Sequence, residues 1–214
     1  MTAIRRIAAA TATIAMLMSS AAAFADCRSP QPDEQCAAQN LAGKALYPGN
    51  RSHADGASFS GANLSGATLA FDCRHCDFSG IKAPSMRTPV GPGPLLAESN
   101  FQGAQLNYAL LGAANFDHAD FSSANLAHAS MVGSSAILAK FTDADLRGAA
   151  LNDANLAMAD LSHADLRGAN LTGTSLRGAN LAGADLSGAI TGNGTCAAGS
   201  VGYCILPRGG HGAA

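Results

Sequence analysis

The residues best suited to chemistry are Cys73, His75 and Cys76, in the run Cys73-Arg74-His75-Cys76. Two thiols beside an imidazole could ligate a metal ion, act as a periplasmic thiol-redox pair, or close on each other as a structural disulfide. A tetrahedral structural zinc site needs four ligands, and no second pair lies nearby in sequence. No alternation of strands and helices of the kind that houses redox cysteines surrounds the run. The structural disulfide is therefore the first reading, with metal binding and redox chemistry as alternatives. His118, His128 and His163 show no ligand spacing. No Gly-x-Ser-x-Gly segment marks a nucleophile, and no glycine-rich loop opens a helix to cradle phosphate. No catalytic residue, cofactor or metal ion is expected, and the chain is read as a non-enzyme.

The six cysteines fall in three close pairs, Cys27 with Cys36, Cys73 with Cys76, and Cys196 with Cys204. An even count in local pairs reads as three disulfides in an oxidising compartment, although six cysteines allow about fifteen connectivities. The N-terminus agrees with that compartment. Arg5 and Arg6 precede an apolar run from Ile7 to Met18, and Ala23-Phe24-Ala25 places small residues before Asp26. This predicts a signal peptide over 1–25, removed after Ala25, and an exported protein of the periplasm or beyond. The apolar run is too short for a membrane anchor and no second span follows, so the mature chain has no expected membrane span. Cleavage leaves eleven basic residues against fifteen acidic ones. Without a basic stripe, nucleic acid is not an expected ligand.

What must position these residues is a register of five. From Phe101 to Leu186 a bulky apolar residue recurs at eighteen fifth positions: Phe101, Leu106, Leu111, Phe116, Phe121, Leu126, Met131, Phe141, Leu146, Leu151, Leu156, Leu161, Leu166, Leu171, Leu176, Leu181 and Leu186, with Ala136 as the exception. Two residues earlier stands Ala in fifteen cases, and Ser99, Ser134 or Thr174 in the others. On a helix this set would spiral round the whole surface, and in a continuous strand it would alternate between faces. The chain must turn once per repeat, with the bulky centre and the small residue two before it both pointing inward. Asn and Asp just before the centre are expected to face water, and Gly two after it suits a corner with positive φ. The run Ala136-Ile137-Leu138 is read as a local core defect that turns apolar side chains outward.

Segments such as Ala164-Asp165-Leu166-Arg167-Gly168 and Ala179-Asn180-Leu181-Ala182-Gly183 resemble the pentapeptide-repeat family. The resemblance implies an all-β fold, a right-handed quadrilateral β-helix with four repeats per coil and a core of stacked Leu, Phe and Ala. At about 4.8 Å per coil the main block would be a rod of roughly 22 Å. Such a solenoid needs caps, here expected to be irregular and stapled by the outer cysteine pairs. The expected divisions are an N-terminal cap over 26–55, first repeats over 56–80, a Pro/Gly-rich insertion loop over 81–95 where the register is lost, the main β-helix over 96–190, and a C-terminal cap and tail over 191–214. Val201, Tyr203, Ile205 and Leu206 would supply the lid of that last cap.

With coils of twenty residues, Asn125, Asp145, Asp165 and Asp185 stack on one face beside Ala127, Arg147, Arg167 and Ser187. That stripe is either a solvated, charge-balanced face or a partner-binding surface made by Asp145, Asp165, Asp185, Arg147 and Arg167. The leading functional reading is a structural or protein-interaction scaffold that binds another protein or an envelope component. The resemblance adds an alternative, since some relatives are acidic rods that mimic DNA and bind gyrase. The signal peptide disagrees with that alternative, because gyrase is cytoplasmic.

Overall fold

The computed structural model describes residues 36–46, 54–89, 93–192 and 194–195. Cys27, Cys196 and Cys204, the expected signal peptide and most of the expected C-terminal cap lie outside the described residues. From Leu95 onward, residues twenty apart pair in parallel: Leu95 with Asn115, Asn100 with Asp120, Gln105 with Asn125, and Leu110 with Ser130. The chain therefore winds into stacked coils with one bridging position in every five residues. Pairs of consecutive bridging residues are rare. They form β1 (Ala45–Leu46), which pairs in parallel with β2 (Thr68–Leu69), and β3 (Ile190–Thr191), which turns back antiparallel onto β4 (Gly194–Thr195). No helix occurs among the described residues.

The destinations of the five backbone N–H groups in a repeat explain why this sequence coils. Around Phe121, the N–H groups of Phe121 and Ser123 donate to Lys140 and Thr142 in the next coil, and that of Asp120 donates back to Ser99. The N–H of Ala124 closes a turn onto Phe121. The fifth, on Ser122, has no ladder partner and donates to the Asp120 side chain at 2.9 Å. The same bond recurs from Ala127 to Asn125, Arg147 to Asp145, Ala157 to Asn155 and Thr172 to Asn170. A buried or half-buried N–H left unpaired is costly, so the Asn/Asp preference has a structural cause that the sequence reading, which saw only water-facing polar residues, did not find. Each turn has positive φ only at its third residue, the pattern of a type II turn.

Inside, the bulky centres and small partners fill the core along most of the described coils. All the predicted centres from Phe101 to Leu171, together with Leu186, are buried, while Leu176 and Leu181 at the last coil are only partly so. Phe59, Phe78, Phe101, Phe121 and Phe141 form one column of nearly parallel rings with centroids 4.7 to 5.1 Å apart. Ala136 is also buried, below Phe116, whose ring stands edge-on to Phe101 and Phe121.

Two expected boundaries move. Coiling is already present at 36–46, inside the expected N-terminal cap: Cys36, Leu41 and Leu46 are buried, and Asn40 pairs with Asn63. The expected loss of register over 81–95 does not hold over 81–87. Ile81, Ala83 and Met86 are buried, and Lys82 and Arg87 bridge to Gln105 and Leu110. The register was hidden because large and small residues swap there, Ala83 holding a centre while Ile81 and Met86 hold the positions usually given to Ala. Pro84 misled for a second reason: it occupies the turn position whose N–H the ladder does not use, and its carbonyl still accepts from Gly66 at 2.9 Å. Where the chain rejoins, Gly93 is obligatory, because a Cβ there would stand 2.5 Å from the Ala114 nitrogen. After Leu69 the register loses one residue, which shortens that coil to nineteen, so that Thr68 pairs with Arg87.

Candidate interaction surface

Among the described residues the interior is filled, and apart from the cysteine pair the polar and charged groups lie mainly at corners and faces. Cys73 and Cys76 are disulfide-bonded, with Cα atoms 5.6 Å apart. They are the first and fourth residues of one corner turn, positions whose side chains both point inward, and both are buried. Ala54 above them leaves room, its carbonyl oxygen lying 3.3 and 3.0 Å from the two sulfurs. The usual bond closing the turn is replaced by Ser99 from the next coil. Its Oγ accepts from the Cys76 N–H at 3.1 Å and donates to the Cys73 carbonyl at 2.8 Å. The two sulfurs are bonded to each other and buried, so in this form neither is a thiolate able to ligate a metal ion. His75 instead stands on the outside of the corner, 3.4 Å from Glu98. Cys36 is also disulfide-bonded.

The predicted charged stripe is assembled as expected, Asp145 bridging to Asp165 and Asp165 to Asp185. Each guanidinium folds back on the carboxylate two residues earlier. Arg147 donates from Nε and Nη2 to Asp145 at 2.8 and 2.7 Å, and Arg167 does the same to Asp165. Each also reaches the next coil, Arg147 to Asp165 at 3.6 Å and Arg167 to Asp185 at 3.8 Å. Hydrogen bonds from Arg147 hold the Asp145 carboxyl below its ordinary range, and those from Ser187 do so for Asp185. The stripe is a ladder of alternating charge whose hydrogen-bonding capacity is mostly committed to itself. On another face, Asp120 pairs with Lys140 at 3.5 Å.

Exposed apolar side chains gather elsewhere. Tyr108 stacks on His128 with centroids 5.1 Å apart at one corner. Leu110 and Val132 lie on the face that follows. Leu138 and Met158 occupy successive levels of a single corner, which also carries His75, Glu98 and His118 above them and Arg177 below. His118, His128 and His163 stand on three different corners and do not converge. Among the described residues no group of His, Cys, Asp or Glu could hold a metal ion. A hollow of about 100 Å³ lies between Ala70, Phe71, Asp72, Pro89, Gly93 and Pro94. Its volume falls short of the several hundred Å³ (roughly 300 or more) usual for a small-molecule site.

The profile described as pentapeptide repeats matches eight copies, over 99–135, 119–156, 139–178 and 154–190. Residues 99–190 belong to the pentapeptide-repeat family. The family fold is a right-handed β-helix, in agreement with the parallel coils. Among solved structures, the chain is similar to a pentapeptide repeat protein of the Arabidopsis thaliana thylakoid lumen, at 35% identity and a TM-score of 0.41 over 41% of this chain. It spans 61% of that protein. It is also similar to HetL of the cyanobacterium Nostoc, a pentapeptide repeat protein involved in heterocyst differentiation regulation, at 25% identity and a TM-score of 0.28, covering 84% of this chain and 97% of HetL. QnrB1, a plasmid-mediated fluoroquinolone resistance protein, matches at 20% identity and a TM-score of 0.35, covering 72% of this chain and 70% of QnrB1. No curated protein matches the chain in sequence. Among the described residues no helix is long and apolar enough to cross a membrane.

Proposed function

We propose that this pentapeptide-repeat chain is an exported, non-enzymatic scaffold, a four-sided rod with caps over its ends, whose outer surface binds another protein or an envelope component. The observation that carries the reading is the filled interior: among the described residues, stacked Phe rings and Leu centres leave no substrate-sized hollow in the core, so the groups there able to meet a partner are those outside. The apolar segment before Ala25 and the oxidised Cys73–Cys76 pair support export, since disulfides persist in oxidising compartments. Cell fractionation with N-terminal sequencing tests this. A periplasmic or secreted chain beginning at Asp26 is expected, and an unprocessed cytoplasmic chain would overturn it.

Gyrase binding by DNA mimicry fits less well. Mimicry needs a continuous run of uncompensated negative charge, and here Arg147 and Arg167 neutralise the Asp column. A supercoiling assay with gyrase and the mature chain is expected to show no inhibition.

A further inference from the structure

We infer that the corner bearing Leu138 and Met158 is the partner-binding edge of the rod, and that it takes an extended segment of another protein that is apolar along its middle and carries a carboxylate at one end. This rests on the scaffold reading and adds the place and the chemistry.

Three observations converge there. The first is exposure: Leu138 is 45% and Met158 57% accessible, on adjacent coils of one corner, with half-buried Ile137 and Ala157 beside them. The second is backbone conformation. Leu138 and Met158 have φ of 59° and 60°, in the left-handed region where bulky side chains are disfavoured. The same position of the other corners is filled mainly by Gly or short polar residues, such as Gly103, Ser123, Asp143 and Gly183. At both residues the backbone is strained, and about half of each side chain stays in water. Strain of this kind, retained where a smaller residue would remove it, points to use at a surface.

The third is charge. Arg177 stands on the next coil of the same corner, its carbonyl accepting from the Met158 N–H at 2.9 Å. Unlike Arg147 and Arg167, it has no carboxylate partner among the described residues and is exposed. Just below Met158 the corner residue is Gly178, and Met158 lies over it so closely that a Cβ there would stand 2.5 Å from the sulfur. The edge thus reads, along the rod, as apolar at Leu138, apolar at Met158, then cationic at Arg177, at steps of about 4.8 Å. An apolar segment ending in Asp or Glu complements that order. The neighbouring corner, with Ser123, Asp143 and His163, offers no such sequence.

Site-specific photo-crosslinking in cells expressing the full-length chain tests the inference. A photoreactive phenylalanine analogue is placed at position 138 or 158, and at 123 or 143 as controls on the neighbouring corner. The expected result is one heterologous adduct from 138 and 158 and none from the controls, with the captured peptide apolar and flanked by Asp or Glu. Arg177→Glu is expected to cut the adduct yield at least tenfold. Leu138→Gly with Met158→Gly is expected to abolish recovery of that identified partner while the melting temperature is held or raised, which separates lost binding from lost folding. Adducts only from the controls would keep the scaffold reading and overturn this edge. No adduct from any position, an adduct between two copies of this chain, or full capture with Arg177→Glu would each overturn the inference.

Discussion

The N–H after a repeat centre has no place in the ladder, and at most corners a single side-chain oxygen two residues earlier satisfies it, while Asp55 and Asp117 do so for Arg74 and Ile137 from the preceding coil. Removing that oxygen has a defined cost: Asn155→Ala strands the Ala157 N–H, which donates to Asn155 at 3.2 Å, and should destabilise by about 1 kcal/mol in a urea titration. Ser99→Ala should cost more, roughly 1 to 3 kcal/mol, because it leaves both the Cys76 N–H and the Cys73 carbonyl unpaired in the core. A loss below the Asn155 value would mean that the turn at the disulfide re-forms its ordinary bond. The Leu138 corner works in the opposite sense. Leu138→Gly relaxes a left-handed residue and should raise stability by up to about 1 kcal/mol, whereas Gly133→Leu at a comparable position should lower it. None of this was legible from residue type alone. Asn at 155 and Ser at 99 read as polar surface and as a substitute for Ala, and only the backbone bonds show what each completes.

Within a coil, the carboxylates and guanidiniums add little despite their good geometry, since exposed pairs are worth about 0 to 1 kcal/mol. Arg147→Ala should therefore change stability by less than Asn155→Ala does. The aspartates have a clearer signature in pH. Asp145 is held low chiefly by Arg147, and Asp160 and Asp185 by Ser162 and Ser187. For Asp120, burial pushes upward but bonds from Ser122 and Gln102 outweigh it. A lowered folded-state value means that stabilisation is complete above the unfolded carboxyl range, about 3.9, and is lost as pH falls through the folded values. Melting temperatures should be level from pH 7 to 5 and decline below about pH 4; a flat profile down to pH 2 would show that these carboxylates contribute nothing. The register of five made the coil readable over 99–190, where every step is regular. It failed over 81–87 because volume was exchanged between paired inward positions, and at Pro84 because a proline there replaces an N–H that the ladder never used. Coils of nineteen and twenty-three residues set Phe59 and Phe78 in the column of Phe101, Phe121 and Phe141, which a uniform spacing of twenty does not reveal.

For the whole molecule, stability is shared between neighbouring coils, with no single central core. Excising residues 141–160, one full turn, keeps every later residue in its column and should leave a cooperative transition with a smaller denaturant slope, reflecting the smaller area exposed on unfolding. At the last coil, the N–H groups of Leu176, Gly178, Leu181 and Gly183 find no acceptor among the described residues, and Leu176 and Leu181 are partly exposed. Under the proposed C-terminal cap, a chain ending at Thr195 should self-associate, measured as a sedimentation coefficient that rises with concentration, since an open row of backbone groups recruits other chains. The ladder also has a mechanical meaning. Because its bonds run along the axis from each turn to the next, tension on the two ends loads one turn at a time, and the rod should peel. Each released turn of twenty residues would pay out about 70 Å of slack, giving a sawtooth of evenly spaced, similar-sized ruptures in a single-molecule pulling trace.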